Sequence, residues 1–494
     1  MQFWNNIIQT AMLGTDKKQV GIDELTEAFA EAVSAIDNNK TIDREEKFLQ
    51  IASLSFNYRR SGTVPLHREH VDMPVAPAED RAYCSTAAVQ VLQDIIAENN
   101  NTLLAQWLEL CAGREHIVPP VFLPVLLDKA AQQKTLKTAI EQCVGHRGAW
   151  LSQFNKDWNF TADVPDEELW HTGTLEQRKQ VLRKFRLHDA AQAREMLQQI
   201  WEQENANNKA ALLQVLSTNL SADDGEWLEN ISSEKSKKVK EEALNLLKQI
   251  PTSTLVQQYW QVVRQAVVLR KEKALLGLLS KTVVHIQLPE IIGEDIFRTG
   301  IEKVSNQKEF TDGEFIIYQL MQNVPPVLWQ EHFALSPEEI ISLLQKDEKR
   351  KYLRALVCAV VQFRDMAWAA AFAENKEYYP DIIPLLPVPQ QDYYSNLFFD
   401  GNEEDIIRLS LQRKTEWSVE LTKNIFTYTA KNFYSYNRSF YSQNIHLIPL
   451  QIIDELKQCT PADEYQRSAW NNTSEHIRKL IQLKLHTAQA FNYL

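Results

Sequence analysis

The residues best placed by type to do chemistry are His67-x-x-His70, with Glu69 between them, and the run Gly145-His146-Arg147-Gly148. Two imidazoles three apart make a metal site only when further ligands stand on a patterned neighbouring element, and none does, so no metal is expected. The chain has no Gly-x-x-x-x-Gly-Lys-Ser/Thr, Gly-x-Gly-x-x-Gly or Gly-x-Ser-x-Gly, which removes the local signatures of phosphate-cradling loops and nucleophile elbows. His188 and Asp189 are adjacent, and adjacency carries no triad geometry. Asp189 before Ala190-Ala191-Gln192 reads instead as a helix N-cap whose carboxylate accepts free first-turn amides. No catalytic residue and no cofactor is expected.

Charge offers a second kind of site. Lys179, Arg183 and Arg186 stand at i, i+4 and i+7, a spacing that puts them on one helix face, and Lys235, Lys237, Lys238 and Lys240 follow as a second cluster. These are the densest basic groups in a chain of 53 basic and 65 acidic residues, net charge −12. Lys179, Arg183, Arg186, Lys235, Lys238 and Lys240 are therefore the candidate residues for binding an acidic segment of a protein partner; a solvated helix face is the plainer reading. The overall acidic balance argues against a duplex-binding groove, which needs a local cationic excess large enough to displace counterions. A third stretch, Phe426, Tyr428, Phe433, Tyr434, Tyr436, Phe440 and Tyr441, is read as core and loop packing, with a protein-binding surface as the alternative.

The elements that must position these residues are helical. Val181, Leu182 and Phe185 recur 46 residues on as Trp227, Leu228 and Ile231, and Ala193, Leu197, Ile200 and Trp201 recur as Val239, Ala243, Leu246 and Leu247. A period in the forties with helices at each end is the mark of HEAT or armadillo units, whose apolar faces are buried only by the next layer. The expected fold is all-α, a HEAT/armadillo-like α-solenoid with a helical N-terminal domain. It divides into an N-terminal domain over 1–160, a repeat core over 161–255 and a C-terminal helical region over 256–494 that continues the solenoid. Helices are expected over Leu255–Ser280, Glu290–Lys303 and Tyr352–Ala373, and at Ser336-Pro337-Glu338-Glu339 a capped start. No β-hairpin is expected, because Asp312-Gly313 and Asp400-Gly401 lack alternating flanks. Arg478, Lys479 and Lys484 sit on a final helix with Leu480, Ile481 and Leu485.

Five scattered cysteines without a Cys-x-x-Cys point to a reducing compartment, and Met1-Gln2-Phe3-Trp4-Asn5-Asn6 lacks the pattern of a signal peptide, so the cytoplasm is the expected location. The apolar stretch Tyr352–Ala373 is broken by Arg354, Gln362, Arg364 and Asp365 and reads as buried helix, not a membrane span. In the run from Gly145 to Trp158, two glycines three apart adjoin two tryptophans eight apart. Gly145, Arg147, Gly148, Trp150, Asn155 and Trp158 are read as an interdomain seam, with Trp150 and Trp158 largely buried; a partner or ligand site is the alternative.

Several motifs together resemble a known family: Met12-Leu13-Gly14-Thr15-Asp16-Lys17, Tyr58-Arg59-Arg60-Ser61-Gly62, Pro119-Pro120-x-x-Leu123-Pro124-x-Leu126-Leu127-Asp128, the Gly145 to Trp158 run, and Leu182-Arg183 with Asp189 and Ala193-Arg194. The chain resembles one uncharacterised bacterial helical family of unknown function, departing from its pattern at His146 and Lys156. Genes of that family commonly neighbour a MoxR-type AAA+ ATPase, a von Willebrand A-domain protein and a SWIM zinc-finger protein. The resemblance implies a component of a multi-protein system and supplies no catalytic residue. The leading expectation is a non-enzymatic scaffold or adaptor for protein partners, among them a MoxR-type AAA+ ATPase or von Willebrand A-domain protein. A HEAT-like nucleic-acid binder and an enzyme without a local motif are the rivals.

Overall fold

A computed structural model describes residues 2–20, 27–61, 74–158, 165–274, 279–290 and 292–492. His67, Glu69 and His70 lie outside the described residues. One local rule builds most of the chain: a short polar residue accepts the first free amides of the next turn, and an apolar stripe follows. Thr174 and Gln177 form a reciprocal capping box, and so do Ser336 and Glu339, where Pro337 takes the first helical position as expected. Asp189 caps Ala190–Ile200 by accepting the Gln192 N–H at 2.9 Å.

The chain forms two compact units, Met1–Val75 and Ala76–Leu494. In the first, the helices Gln2–Leu13, Glu27–Asp37 and Arg44–Ser61 enclose a small core of Phe29, Val33 and Ile51. The second is all-α in its packing, helix on helix in a solenoid-like succession, and holds two hydrophobic cores.

One core runs from Trp170 to Tyr394 and contains the repeat. The helices Leu175–His188 and Ala190–Ile200 correspond to Gly225–Ile231 and Lys237–Leu247. Leu182, Leu197, Leu228 and Leu246 are all buried, as the 46-residue recurrence requires. Each such leucine contributes roughly 1.5–3 kcal/mol of burial, and only the neighbouring layer makes that burial available. Trp201 meets Trp227 edge to face at 5.2 Å between ring centroids. The stretch Tyr352–Ala373 is largely buried, as the helices Leu353–Phe363 and Met366–Glu374. Among the described residues no helix is long and apolar enough to cross a membrane.

The other core joins residues 84–144 to residues 399–491. The long helix Glu464–Ala490 packs on Thr86–Glu98, Trp107 meets Phe491 edge to face at 5.3 Å, and Arg114 Nη2 donates to the Phe491 carbonyl at 2.9 Å. This core joins segments more than 250 residues apart in the chain.

Two expectations are corrected between Leu255 and Lys303. The helix Thr254–Ala266 stops at Ala266, and Val267–Ala274 pairs antiparallel with Leu279–Ile286 in a β-hairpin, Val268 opposite His285 and Glu272 opposite Lys281. The β-branched residues Val267, Val268, Thr282, Val283, Val284 and Ile286 favour a pleated, half-buried surface over a helix, and no short Asn-Gly or Asp-Gly turn advertises the pairing. Farther on, among the described residues of the expected Glu290–Lys303 helix, only Glu294–Phe297 is helical.

Candidate partner-binding surface

On the helix Leu175–His188 the buried side chains are Val181, Leu182 and Arg186, while Arg183 is exposed. Arg186 leaves the basic face that its spacing predicted. At about 100° per residue it stands only about 40° round the helix from Leu182, on the margin of the apolar arc. It is 0% exposed. Its guanidinium donates to both Asp224 carboxylate oxygens, at 3.1 and 2.9 Å, and to the carbonyls of Thr218, Ala190, Leu216 and Asn219 at 2.8–3.2 Å. Arg194 Nη1 adds a bond to Asp224 Oδ1 at 2.9 Å, and Asp224 also accepts the Ser221 N–H. Burial raises the Asp224 carboxyl, but these hydrogen bonds outweigh it and hold the group below its ordinary value. Arg186 is thus a structural cation that no partner can reach.

The rest of the first cluster lies at the edge of the helix stack. Lys179 is half-buried and bonds Glu176 at 3.0 Å. Its neighbour Arg178 lies over the Trp170 ring and pairs with Glu204 at 2.6 Å. Asn208, in the first turn of Ala206–Leu213, donates to the other Glu204 oxygen at 2.8 Å, and Asn207 beside it accepts from Lys238 at 3.2 Å. This helix start thus contacts Glu204, the partner of Arg178, on one side and Lys238 of the second cluster on the other. Lys235 and Lys238 are exposed, Lys240 is half-buried, and Lys237 pairs with Glu241 one turn on at 3.7 Å. Arg183, Lys235 and Lys240 have no ion-pair partner among the described residues.

Carboxylates are interleaved through this edge. Lys209 pairs with Glu234 at 3.1 Å, Trp201 Nε1 donates to the same oxygen at 3.0 Å, and Lys209 lies over the Trp201 ring. The Lys209 bond, with the Trp201 bond behind it, holds the Glu234 carboxyl below its usual value. Such a surface is of mixed sign, not the continuous cationic stripe that a phosphate backbone calls for. Arg178, Glu204, Lys209 and Glu234 were missed in the sequence, where nothing but their charge marked them.

The Gly145–Trp158 run forms the helix Gly145–Ser152 and the 3-10 turn Lys156–Trp158, both against Leu123–Gln132. Gly145 takes φ +65°, and a Cβ there would lie 2.4 Å from Glu79 Oε2. Glu79 holds that place because its two oxygens accept the N–H groups of His146 and Arg147, at 2.8 and 2.9 Å, neutralising the positive end of the helix. Gly148 is buried, and the Asn155 side chain accepts the Asp157 N–H at 3.0 Å. Trp158 Nε1 donates to Asp128 at 2.6 Å. Trp150 and Trp158 are both half-buried, and Trp150 meets the exposed Phe154 at 4.9 Å between ring centroids.

Glu79, Asp80 and His146 also bring one ligand-type atom each within 4.8 Å of one another. Sixty-odd residues of separation hid this grouping from the sequence. His146 Nδ1 donates to the Ala78 carbonyl at 3.1 Å, and Nε2 stands 3.8 Å from Asp80. With both Glu79 oxygens committed to amides, the group is a helix cap beside an exposed His–Asp pair.

The aromatic run divides by depth. Phe426 and Tyr441 are buried around Trp470, whereas Tyr434 is exposed and shares a cluster with Phe433 and the exposed Tyr465.

Residues 6–491 match a family described as "Family of unknown function (DUF5691)", and the chain belongs to that family. No curated protein and no solved structure matches the chain.

Proposed function

We propose that this member of the DUF5691 family is a non-enzymatic helical scaffold that binds an acidic segment of a protein partner along the edge of its repeat. The observation that supports this most is a set of cations without ion-pair partners among the described residues, Arg183 and Lys240 on helices of the repeat and Lys235 in the turn before the second, joined by the exposed Lys238. Successive helical layers can present such charges to one extended peptide. The carboxylates between them favour a partner of mixed sequence over a uniform polyanion and set the register in which it docks. The fitting partners are protein components of the system that the family resemblance implies, a MoxR-type AAA+ ATPase or a von Willebrand A-domain protein.

The test is a triple variant, Arg183→Glu, Lys235→Glu and Lys238→Glu, titrated against those two purified proteins from the same organism over a range of salt. Exposed charges are screened beyond about 8 Å at physiological salt, so wild-type binding should weaken as salt rises, and the variant should associate more slowly. Unchanged circular dichroism with unchanged binding and salt midpoint would remove the edge as the binding site.

A further inference from the structure

A pocket of about 480 Å³ opens where the 3-10 turn Asp347–Tyr352 leads into the helix Leu353–Phe363. Arg350, Lys351 and Arg354 line it, with Glu309, Glu377 and Tyr379. The three cations are not equivalent. Lys351 is spent on structure: its ammonium pairs with Glu314 at 2.8 Å, donates to the Glu309 carbonyl at 2.9 Å and lies over the Phe310 ring. Arg350, with 65% of its side chain exposed, gives Glu377 a bond at 3.2 Å. Arg354 is exposed and has neither an ion pair nor a side-chain hydrogen bond among the described residues.

A guanidinium carries five N–H donors in a flat fork that matches a carboxylate with two parallel bonds. Arg350 at the end of the 3-10 turn and Arg354 in the first turn of the helix that follows both line this pocket, so it has a guanidinium from each element. The walls beside them are the rings of Tyr378 and Tyr379, and the Tyr379 hydroxyl is held by Glu377 at 2.7 Å. An apolar stem has a surface there, and an anionic head has donors. Glu309 and Glu377 limit how much negative charge the site tolerates, so a string of phosphates is disfavoured where a single carboxylate is not.

We propose that this pocket, separate from the basic edge of the repeat, takes one carboxylate side chain of a bound peptide, with Arg354 as the principal contact and Arg350 as the second. The inference rests on the reading of the chain as a scaffold for protein partners and adds a second contact with its own chemistry.

The full chain is titrated calorimetrically with three probes: a blocked peptide carrying one glutamate, the free dicarboxylate glutarate, and inorganic phosphate. The peptide should bind, and Arg354→Gln should weaken it about tenfold or more, the loss expected when a charge-assisted pair of hydrogen bonds goes. Arg350→Gln should weaken it less, because Arg350 is already shared with Glu377. Arg298→Gln, whose partner is Asp295, should leave binding unchanged. No peptide binding, equal binding by wild type and Arg354→Gln, or preference for glutarate or phosphate over the peptide overturns the proposal. The charge-reversed edge variant separates the two readings: it should bind this peptide as the wild type does, and Arg354→Gln should retain edge-dependent capture.

Discussion

Arg186 in the repeat and Lys484 in the C-terminal helix are both cations drawn out of water into rings of backbone carbonyls, and they are neutralised in opposite ways. Arg186 faces four carbonyls and a carboxylate, Asp224, that is itself 0% exposed. Lys484 donates to the carbonyls of Ile445, His446 and Ile448 at 2.7–3.3 Å, but its carboxylate, Glu416, is 47% exposed. In the repeat both charges of the pair lost their hydration, so Arg186 has no other carboxylate to neutralise it, while Asp224 keeps Arg194 as a second cation. In the C-terminal core one partner remains in water, and the lysine has a second recourse, the loss of its proton. Burial accordingly pushes the Lys484 ammonium below its ordinary value while Glu416 pulls it back up. A guanidinium has no such exit.

The comparison breaks most sharply at Asp224. Asp224→Ala strands Arg186 as a buried unpaired charge and should cost about 3–5 kcal/mol, read as a lowered urea midpoint. If the variant loses less than about 1 kcal/mol, the buried pair is not what holds the 216–224 segment against the first helix pair.

Lys484→Met should cost less, about 1–3 kcal/mol, because it removes a desolvated charge while leaving three carbonyls short of a donor. A loss as large as that of Asp224→Ala would erase the distinction between the two cations.

The smallest effect is expected at Glu416 and it depends on pH. Glu416→Gln should cost under about 1 kcal/mol at neutral pH, since the carboxylate is half in water. The folded-state value of Lys484 lies below its unfolded value of 10.5, so between the two the unfolded chain holds the extra proton and stability rises with pH. A neutral lysine has no need of Glu416, and the deficit of the variant should shrink as pH approaches 10.5. The Asp224 carboxyl is depressed instead, so its contribution is present above its unfolded value of 3.8 and is lost as pH falls below that. Urea midpoints of variant and wild type measured across pH check both signs.

What was legible in the sequence is what short spacing encodes. The 46-residue recurrence identified Leu182, Leu197, Leu228 and Leu246 as buried, and the caps at Asp189 and Ser336 followed from a polar residue ahead of an apolar stripe. Arg186 was misassigned for a geometric reason: its pattern put it at the rim of the apolar arc, and three of the four carbonyls that receive it come from residues 216–219, a segment whose backbone shape the side chains do not announce. The hairpin escaped because the strand Val267–Ala274 follows a helix directly, shows no apolar alternation past Leu269, and has no short turn signal after it. Glu79 under the amides of His146 and Arg147, and Arg354 at the mouth of a pocket, are positions created by tertiary packing, and neither has a local signature.

The core shared by residues 84–144 and 399–491 carries a consequence for how the protein is made. Asn100 donates to the Ser442 carbonyl and Arg114 to that of Phe491, bonds between residues more than 340 apart in the chain. At roughly 5–20 residues per second of synthesis, the helices of the first segment wait about 15–75 s for these partners to be made. Through that interval Leu92, Ile95, Leu104 and Trp107, all buried in the finished core, lack the surfaces that complete their burial. The repeat between them, built from neighbouring layers, can close as it emerges. Nascent chains of this protein thus carry an early unfinished half-core, a substrate for chaperones that the mature fold no longer displays.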